Sequence, residues 1–339
     1  MNRLKGMMQS KELKALFCLI IMFLIVGLIN PDFLDLKNIM MCLNGSVVYI
    51  IIAIGIAFVI FTGEIDVSIG ATLGLAAAIS SSMIRDGMPW MVAILAAIVV
   101  GAFVGAINGF GVTILQIPSI IMTLGSYGIV RGMIYVYTNG KWVENIPFEF
   151  KALAQASLGS TLTYFLIGVL VLMILIHLLL TKTKKGKYFV AVGDNVGGAT
   201  LLGIPVTRTK WLSFIICGIL AAVGGVLYVS RVGFITPMAG NGYEMKAIAA
   251  CVIGGISLKG GVGSVIGATV GATIMASISR ILVFIGISSD YDNTITGILL
   301  ITIVVIDALT QRRQAEKARR ERLANRLVSQ DEGSDTHHE

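Results

Sequence analysis

Residues 161–181 read TLTYFLIGVLVLMILIHLLLT, a run of 21 residues without a lysine, arginine, aspartate or glutamate. An α-helix rises about 1.5 Å per residue, so roughly 20 apolar residues cross the ~30 Å hydrocarbon layer of a bilayer. Eight such segments in 339 residues leave no room for a sizeable soluble domain, and the sequence predicts an all-α, polytopic membrane helix bundle. The other seven runs are Ala15–Ile29, Ser46–Thr62, Trp90–Ile107, Ser119–Thr138, Trp211–Ser230, Gly263–Ile285 and Asn293–Ala308.

Composition agrees with this class. Hydrophobic residues make up 56% of the chain and charged residues 13%, and there are 39 glycines against 6 prolines. In lipid, glycine lets helices approach each other closely. The four cysteines (Cys18, Cys42, Cys217 and Cys251) have neither metal-ligand nor disulfide spacing, so we expect small apolar fillers and no metal site.

The positive charge is concentrated in three regions, which predicts the orientation of the chain. Residues 1–14, 182–210 and 311–339 together carry 17 of the 26 lysines and arginines. Under the positive-inside rule all three lie in the cytoplasm, on either side of a transmembrane domain at 15–310. A solvated helix of mixed charge is the alternative for the tail, where Glu316 and Glu321 are interleaved. Nucleic-acid binding is disfavoured because the basic groups flank spans.

This orientation constrains the number of spans. Five apolar runs precede the segment 182–210, and a sixth is needed to bring the chain back to the cytoplasm; the candidate is Val67–Ile84. By the same parity, Met245–Ile256 supplies a fourth span after residue 210. The sequence thus predicts about ten transmembrane helices with both termini cytoplasmic. An internal echo, IGATLG at 69–74 and IGATVG at 266–271, supports the two weaker spans, although small-residue helix packing could produce it by chance.

Three longer polar segments connect the spans. Residues 30–43 and 139–160 are expected outside, and 182–210 is the one substantial inside loop. Asp194 or Asn195 could cap a short helix through Leu202, which Gly203 and Pro205 would stop. A surface helix at this place would suit a cytoplasmic partner.

Charged residues within or beside the spans are candidates for function, because a charge at mid-bilayer costs about 2.5–3.5 kcal/mol on insertion scales. Glu64 and Asp66 could lie in a translocation path, or they could be solvated or cap the next helix at Ser68. Glu244 and Lys246 could also line a path, or be a helix-start acid and a snorkelling lysine. The remaining candidates are Arg131, expected to snorkel at an outer end, Arg280 and Asp307.

Aromatic and amide side chains could bind a small polar molecule, or simply pack. These candidates are Phe61, Asn108, Tyr127, Tyr135, Asn241 and Tyr243. No catalytic constellation and no Gly-x-x-x-x-Gly-Lys-Ser/Thr motif occurs, so the sequence does not predict an enzyme or a self-powered pump.

Several motifs resemble a known family. Thr62–Gly70, TGEIDVSIG, is similar to the Gly-(Gly/Glu)-Ile-Asp-Leu-Ser-Val-Gly motif of the permease subunits of sugar-type ABC importers. The resemblance covers about residues 40–310, in order. Further matching stretches are Ile117–Gly125, Gly193–Ile204, Gly242–Ala250 and Gly254–Gly263.

The resemblance implies a translocation subunit in a bacterial cytoplasmic (inner) membrane. A second permease, identical or paralogous, would complete the path. Two ATP-binding subunits would hold ATP-Mg, this chain binding no cofactor itself, and an extracytoplasmic sugar-binding protein would dock on 30–43, 139–160 and 231–243. The segment Asn139–Pro147 is most similar to members that import autoinducer-2 or rhamnose, and less to the ribose type.

The resemblance also assigns residue roles. The ATPase-docking residues would be Gly193, Asp194, Asn195 and Gly203. The residues of the translocation path and its gate would be Glu64, Asp66, Ser68, Asn108, Thr123, Tyr243, Glu244 and Lys246.

Other possibilities stay open from the sequence. The chain could be a stand-alone secondary transporter or channel, or a membrane scaffold without flux. The solute, the identity of the partner permease, the helices that line the path and the native status of His337-His338-Glu339 are also undetermined.

Overall fold

The computed structural model describes residues 11–159, 161–302, 304–306, 308–309 and 316. Most of the predicted N-terminal segment 1–14 and nearly all of the tail 311–339, with His337 and His338, lie outside the described residues, as does Asp307. The chain divides into two compact units, Met1–Thr296 and Gly297–Glu339, and the site lies in the first. The helices are α1 (Lys11–Ile29), α2 (Leu36–Gly45), α3 (Val47–Phe61), α4 (Ile69–Arg85), α5 (Trp90–Thr113), α6 (Ser119–Thr138), α7 (Phe148–Gln155), α8 (Tyr164–Lys182), α9 (Lys184–Asp194), α10 (Val196–Leu201), α11 (Val206–Val232), α12 (Tyr243–Ile253) and α13 (Val265–Phe284).

The predicted membrane helix bundle is confirmed in its coarse form. Within the described residues, seven helices are long and apolar enough to cross a bilayer, the last at Ser289–Ile306. An eighth candidate is the pair α2 and α3, which bend by 41° at their junction. Two shorter helices, α4 with 17 residues and α12 with 11, correspond to the weak spans that parity required.

The core of the bundle is built around α3. Every residue of this helix except Tyr49 is buried. A helix that is apolar on all sides gains most when other helices surround it. The helices α11, α12 and α13 pack against α3, and α11 continues along α4 and α5. The helices α3 and α11 thereby hold the two shorter helices, α12 and α4, in place.

Glycine sets the spacing between α5 and α11. Gly101 and Gly105 lie one turn apart on α5 and face α11. A Cβ on Gly101 would lie 2.7 Å from that of Ala222, and one on Gly105 would lie 2.9 Å from the Cα of Ile215. Without side chains the two backbones come into direct contact, which is how helices gain dispersion energy in lipid.

Connections expected to be loops contain regular structure. Residues 30–43 include a 3-10 turn at Pro31–Leu34 and most of α2. Residues 139–160 include α7, and an antiparallel hairpin follows, in which Ser157 pairs with Thr163 and Leu158 with Leu162. The hairpin is a small departure from the all-α prediction. The segment 182–210 is not a loop with one helix, since α9 precedes the short helix.

The two copies of the internal echo occupy equivalent places. Each begins a helix, α4 or α13, directly after a non-helical break. In both, the glycines contact backbone: a Cβ on Gly70 would lie 2.5 Å from the carbonyl oxygen of Gly240, and one on Gly271 would lie 2.8 Å from the carbonyl carbon of Ala250. The repeated glycines therefore serve close packing of the helix starts.

Candidate functional site

The first break in the bundle separates α3 from α4. Its backbone is partly buried, and unpaired amides there would be costly. The amide of Ile65 donates to Ser119 Oγ at 3.2 Å, and that of Val67 donates to Thr123 Oγ1 at 3.1 Å. The side chains of α6 therefore replace the hydrogen bonds that a continuous helix would have made.

A buried chain of hydrogen bonds leads from α6 to Asp66. Ser126 Oγ donates to Asn108 Oδ1, Asn108 Nδ2 donates to Ser68 Oγ at 2.8 Å, and Ser68 Oγ donates to Asp66 Oδ1 at 2.6 Å. The Asp66 side chain also accepts from the amide of Ser68, the residue before α4, at 2.8 Å. All four residues are buried. The chain joins α4, α5 and α6. It contains three predicted site residues, Asp66, Ser68 and Asn108, and a fourth, Thr123, accepts from the neighbouring Val67 amide.

Glu64 holds a different helix. Its carboxylate lies 2.6 Å from the ammonium of Lys210, in the first turns of α11, and both side chains are about one-fifth exposed. Glu64 thus holds α11, whereas Asp66 bonds to Ser68, the residue before α4. Full solvation is wrong for both carboxylates, and a place in a translocation path stays a prediction.

The second break lies between α12 and α13 and contacts the first. The amide of Gly261 donates to the carbonyl oxygen of Phe61 at 3.1 Å. A Cβ on Gly260 would lie 2.7 Å from the amide nitrogen of Gly63 and 2.9 Å from the Cα of Gly193. Gly63, Gly260 and Gly261 all have positive φ, between +73° and +88°, a region that glycine enters at little cost.

Gly193 completes this contact from the side of α9. A Cβ there would overlap the carbonyl oxygen of Phe61 and lie 2.6 Å from the amide nitrogen of Gly261. The same helix is anchored by Phe189, which is buried and packs edge-on against Phe58 at 5.1 Å between ring centroids. The end of α9 therefore touches both breaks at once. We call Phe61–Gly63, Gly193–Asp194 and Lys259–Gly261 the glycine junction.

The predicted docking helix is present as α10. Asn195 is its N-cap and accepts from the amide of Gly198 at 2.8 Å, and Gly203 follows the helix with φ +73°. The side chains of Leu201 and Leu202 are 91% and 80% exposed. Two adjacent leucines in solvent, next to the glycine junction, form an apolar knob that a partner could cover.

The start of α12 lies between the start of α3, where Tyr243 stacks on Tyr49, and the start of α4, where Glu244 lies against Gly70. Glu244 is in the first turn and accepts from the amide of Gly242 at 3.2 Å, as expected for a helix-start acid. Lys246 does not snorkel: it is buried, pairs with Asp292 and lies 5.4 Å from the ring centroid of Tyr49. That prediction is wrong because a carboxylate within the bundle is closer than water.

The remaining polar candidates mostly join α6 to the segment before α12. Tyr127 donates to Asn241 Oδ1 at 3.0 Å, and Tyr135 contacts Met238 Sδ at 3.2 Å. Arg131 was expected to snorkel, but it donates to the carbonyl oxygen of Ala239 at 2.6 Å. These contacts fix the segment 237–241 on α6. Phe61 belongs to the core, and its side chain is 1% exposed.

The structure thus gathers the predicted residues into two neighbouring clusters, one around Asp66 and one around Glu244, whose carboxylate lies against Gly70 in the first turn of α4. Sequence analysis missed four partners: Ser119, Ser126, Lys210 and Asp292. The serines had a usable signal, because Ser119, Thr123 and Ser126 recur with helical spacing on α6. Asp292 precedes the last apolar run by one residue and had none.

Comparison with known proteins agrees with the motifs. The family model described as "Branched-chain amino acid transport system / permease component" matches residues 38–304. No solved structure matches the chain.

Curated relatives extend over nearly the whole chain. Autoinducer 2 import system permease protein LsrC of Enterobacter sp. (strain 638) is 38% identical over 320 residues, 93% of each chain. The protein of the same name in Salmonella typhi is 37% identical over 328 residues, covering 96% of this chain and 93% of its own. That of Escherichia coli (strain K12 / DH10B) is 35% identical over 322 residues, 95% and 94% of the two chains. These matches confirm the resemblance to ABC importer permeases, membrane subunits that are not themselves enzymes, and the chain belongs to the family of transport-system permease components.

Proposed function

We propose that this chain is the permease for autoinducer-2 or a closely related small, sugar-like solute. The relatives that cover more than nine-tenths of the chain carry that name. The outer segment Asn139–Pro147 supports the same subgroup from its residues alone. The buried network around Asp66 bonds to protein groups at each step, which suits a path that passes a neutral solute through weak contacts.

We also infer ten spans with both termini in the cytoplasm of a bacterial inner membrane. The support is the charge pattern: basic residues cluster in 1–14, 182–210 and 311–339. With this topology 15–310 is the transmembrane domain, 182–210 faces the ATPases, and the cluster around Glu244 is on the outer side. The proposed assembly has a second permease, two ATP-binding subunits carrying ATP-Mg and an extracytoplasmic binding protein.

The glycine junction is the observation that carries the mechanism. In this proposal an ATP-binding subunit covers Leu201 and Leu202 and moves α10. α9 ends at Asp194, and Asn195 is the N-cap of α10. Only Asp194 and Asn195 therefore separate α10 from Gly193, and the motion is passed on through them. Gly193 touches Phe61 and Gly261, so both breaks shift together. Closely packed backbones favour two discrete arrangements over continuous deformation.

Substitution of the exposed leucine tests docking. Leu201→Glu is compared with Leu158→Glu, in the hairpin on the proposed outer side, where the leucine is 61% exposed. Each variant is co-expressed with the ATP-binding subunits and binding protein of the proposed assembly. We expect Leu201→Glu to lower ATPase co-purification and solute uptake about tenfold or more, because a charge replaces the apolar side chain that the ATP-binding subunit covers in this proposal. Leu158→Glu should retain co-purification.

The same preparation tests the solute and the class of transporter. Uptake of radiolabelled autoinducer-2 is measured beside L-rhamnose and ribose. Full uptake by Leu201→Glu would contradict docking at α10, and transport of none of the three would contradict the solute class. Flux through the purified chain in liposomes without any ATPase would replace the proposal with a stand-alone transporter.

A further inference from the structure

A cavity of about 370 Å³ lies at the end of the bundle where α3 begins. It is lined by α2, α3, α11, α12 and α13 and shares no residue with the network around Asp66. Its polar lining includes Asn44, Tyr49, Tyr228, Arg231, Tyr243, Ser279 and Arg280.

The two arginines give this cavity an excess of positive charge. Neither forms an ion pair within the described part of the chain. Arg231 donates to the backbone oxygen of Asn44, whereas Arg280 has no hydrogen-bond partner among the described residues. The acid that reaches this region, Asp292, is already held by Lys246 and by Ser279, whose hydroxyl lies 2.6 Å from it. Two guanidinium groups are therefore left without a carboxylate.

Aromatic rings make the wall rigid. Tyr49 and Tyr243 are stacked, with ring centroids 4.7 Å apart and planes 9° from parallel, and Tyr228 meets Tyr243 edge-on at 5.9 Å. Such aromatic pairs contribute about 0.5–1.5 kcal/mol beyond their buried area. Val48 and Ala276 add apolar surface. The lining thus combines two cationic groups with aromatic and apolar side chains, as ligand sites commonly do.

We propose that this cavity binds a phosphate group, either the phosphodiester of an anionic phospholipid or a free phosphate. Guanidinium groups bind phosphate oxygens through paired, charge-assisted hydrogen bonds. Arg231 is exposed and Arg280 is half-buried, so both guanidinium groups are accessible to a phosphate that enters the cavity. A phosphate would neutralise both, and the apolar lining could accept the glycerol and first carbons of a lipid. This binding is independent of the imported solute.

Arg280→Gln is a clean test, because Arg280 makes no hydrogen bond or ion pair with other described residues that its loss would break. The control is Arg85→Gln, an exposed arginine paired with Asp86 at 2.8 Å. The full chain is purified and reconstituted in nanodiscs of phosphatidylcholine with graded phosphatidylglycerol. Native mass spectrometry then counts retained phosphatidylglycerol, and thermal unfolding with inorganic phosphate is followed in phosphatidylcholine alone.

We expect the unsubstituted chain and Arg85→Gln to retain phosphatidylglycerol or to be stabilised by inorganic phosphate. Arg280→Gln should weaken that binding about tenfold or more, as loss of a charge-assisted hydrogen bond does. Arg280→Lys should restore part of it. Retention of lipid without an effect of phosphate identifies a headgroup site, and stabilisation by phosphate alone identifies a soluble ligand. Absence of both, or equal binding by Arg280→Gln, would overturn the proposal, whatever the outcome for uptake.

Discussion

Replacing Gly193 with alanine adds one methyl group between three backbone segments. The new Cβ would lie 2.6 Å from the amide nitrogen of Gly261 and would overlap the carbonyl oxygen of Phe61. Favourable contact distances for carbon are about 3.5–4.0 Å, so α9 must move away from both breaks by about 1 Å. Neither neighbour is a flexible side chain, and such overpacking costs about 1–3 kcal/mol. Gly193 is helical, so the change introduces no unfavourable φ.

Two assays separate mechanical coupling from stability. With Gly193→Ala we expect the ATP-binding subunits to co-purify, since Leu201 and Leu202 are unchanged, but uptake per ATP hydrolysed to fall about tenfold, corresponding to roughly 1.4 kcal/mol in the shift between states. The unfolding midpoint of the chain in detergent should fall as well. The matched control is Gly168→Ala in α8, where a Cβ would meet no atom of the described residues within 4 Å. There, alanine should be neutral or slightly stabilising.

The outcome that would refute this reasoning is specific. If Gly193→Ala transports and couples as well as the unsubstituted chain, the glycine junction does not transmit the motion. If coupling falls equally in Gly168→Ala, the loss reflects general sensitivity of the bundle. Loss of ATPase co-purification with Gly193→Ala would place its effect at docking instead.

Further substitutions test the contacts around the two clusters. Asn108→Leu removes the central member of the chain to Asp66 and should lower the free energy of unfolding by about 1–3 kcal/mol, measured by denaturant titration in detergent, because two buried serines lose a partner; an unchanged midpoint would contradict the network. Lys246→Met leaves Asp292 buried without its cation and should cost about 3–5 kcal/mol, whereas the double variant with Asp292→Leu should recover most of it in a double-mutant cycle. Leu201→Asp should change the free energy of unfolding of the isolated chain by less than about 0.5 kcal/mol, since this side chain is 91% exposed. A large destabilisation would show that Leu201 packs within the chain.

Some features of the site were predictable because they depend on local sequence. The cap of α10 at Asn195 and its end before Gly203 follow from side-chain hydrogen bonding and from the φ that glycine allows. The hydrogen bond from the Ser68 amide to Asp66 is also local. The helix α9 was not predicted, because its run of lysines in 182–187 indicated a cytoplasmic loop and masked the buried Phe189 and Val192.

Pairings across the bundle could not be predicted in the same way. Lys210 was counted only with the basic residues of 182–210, and Asp292 was not singled out, yet each is the ion-pair partner of a predicted site residue. Snorkelling to the membrane interface was expected for Arg131, and was one of two interpretations for Lys246, by analogy with long cationic side chains in general. In the structure, Arg131 donates to the carbonyl oxygen of Ala239 at 2.6 Å, and Lys246 pairs with the carboxylate of Asp292.

The sequence by itself determined that lipid surrounds this protein, because the length of an uncharged run alone decides whether a helix can cross a bilayer. It also indicated where the spans break and where a partner would dock. Only the tertiary structure decided which helices meet. Lipid is as apolar as leucine, so the sequence of a uniformly apolar helix does not indicate which other helix packs against it. The role of Gly193, Gly260 and Gly261 as points of backbone contact is therefore visible only in the tertiary structure.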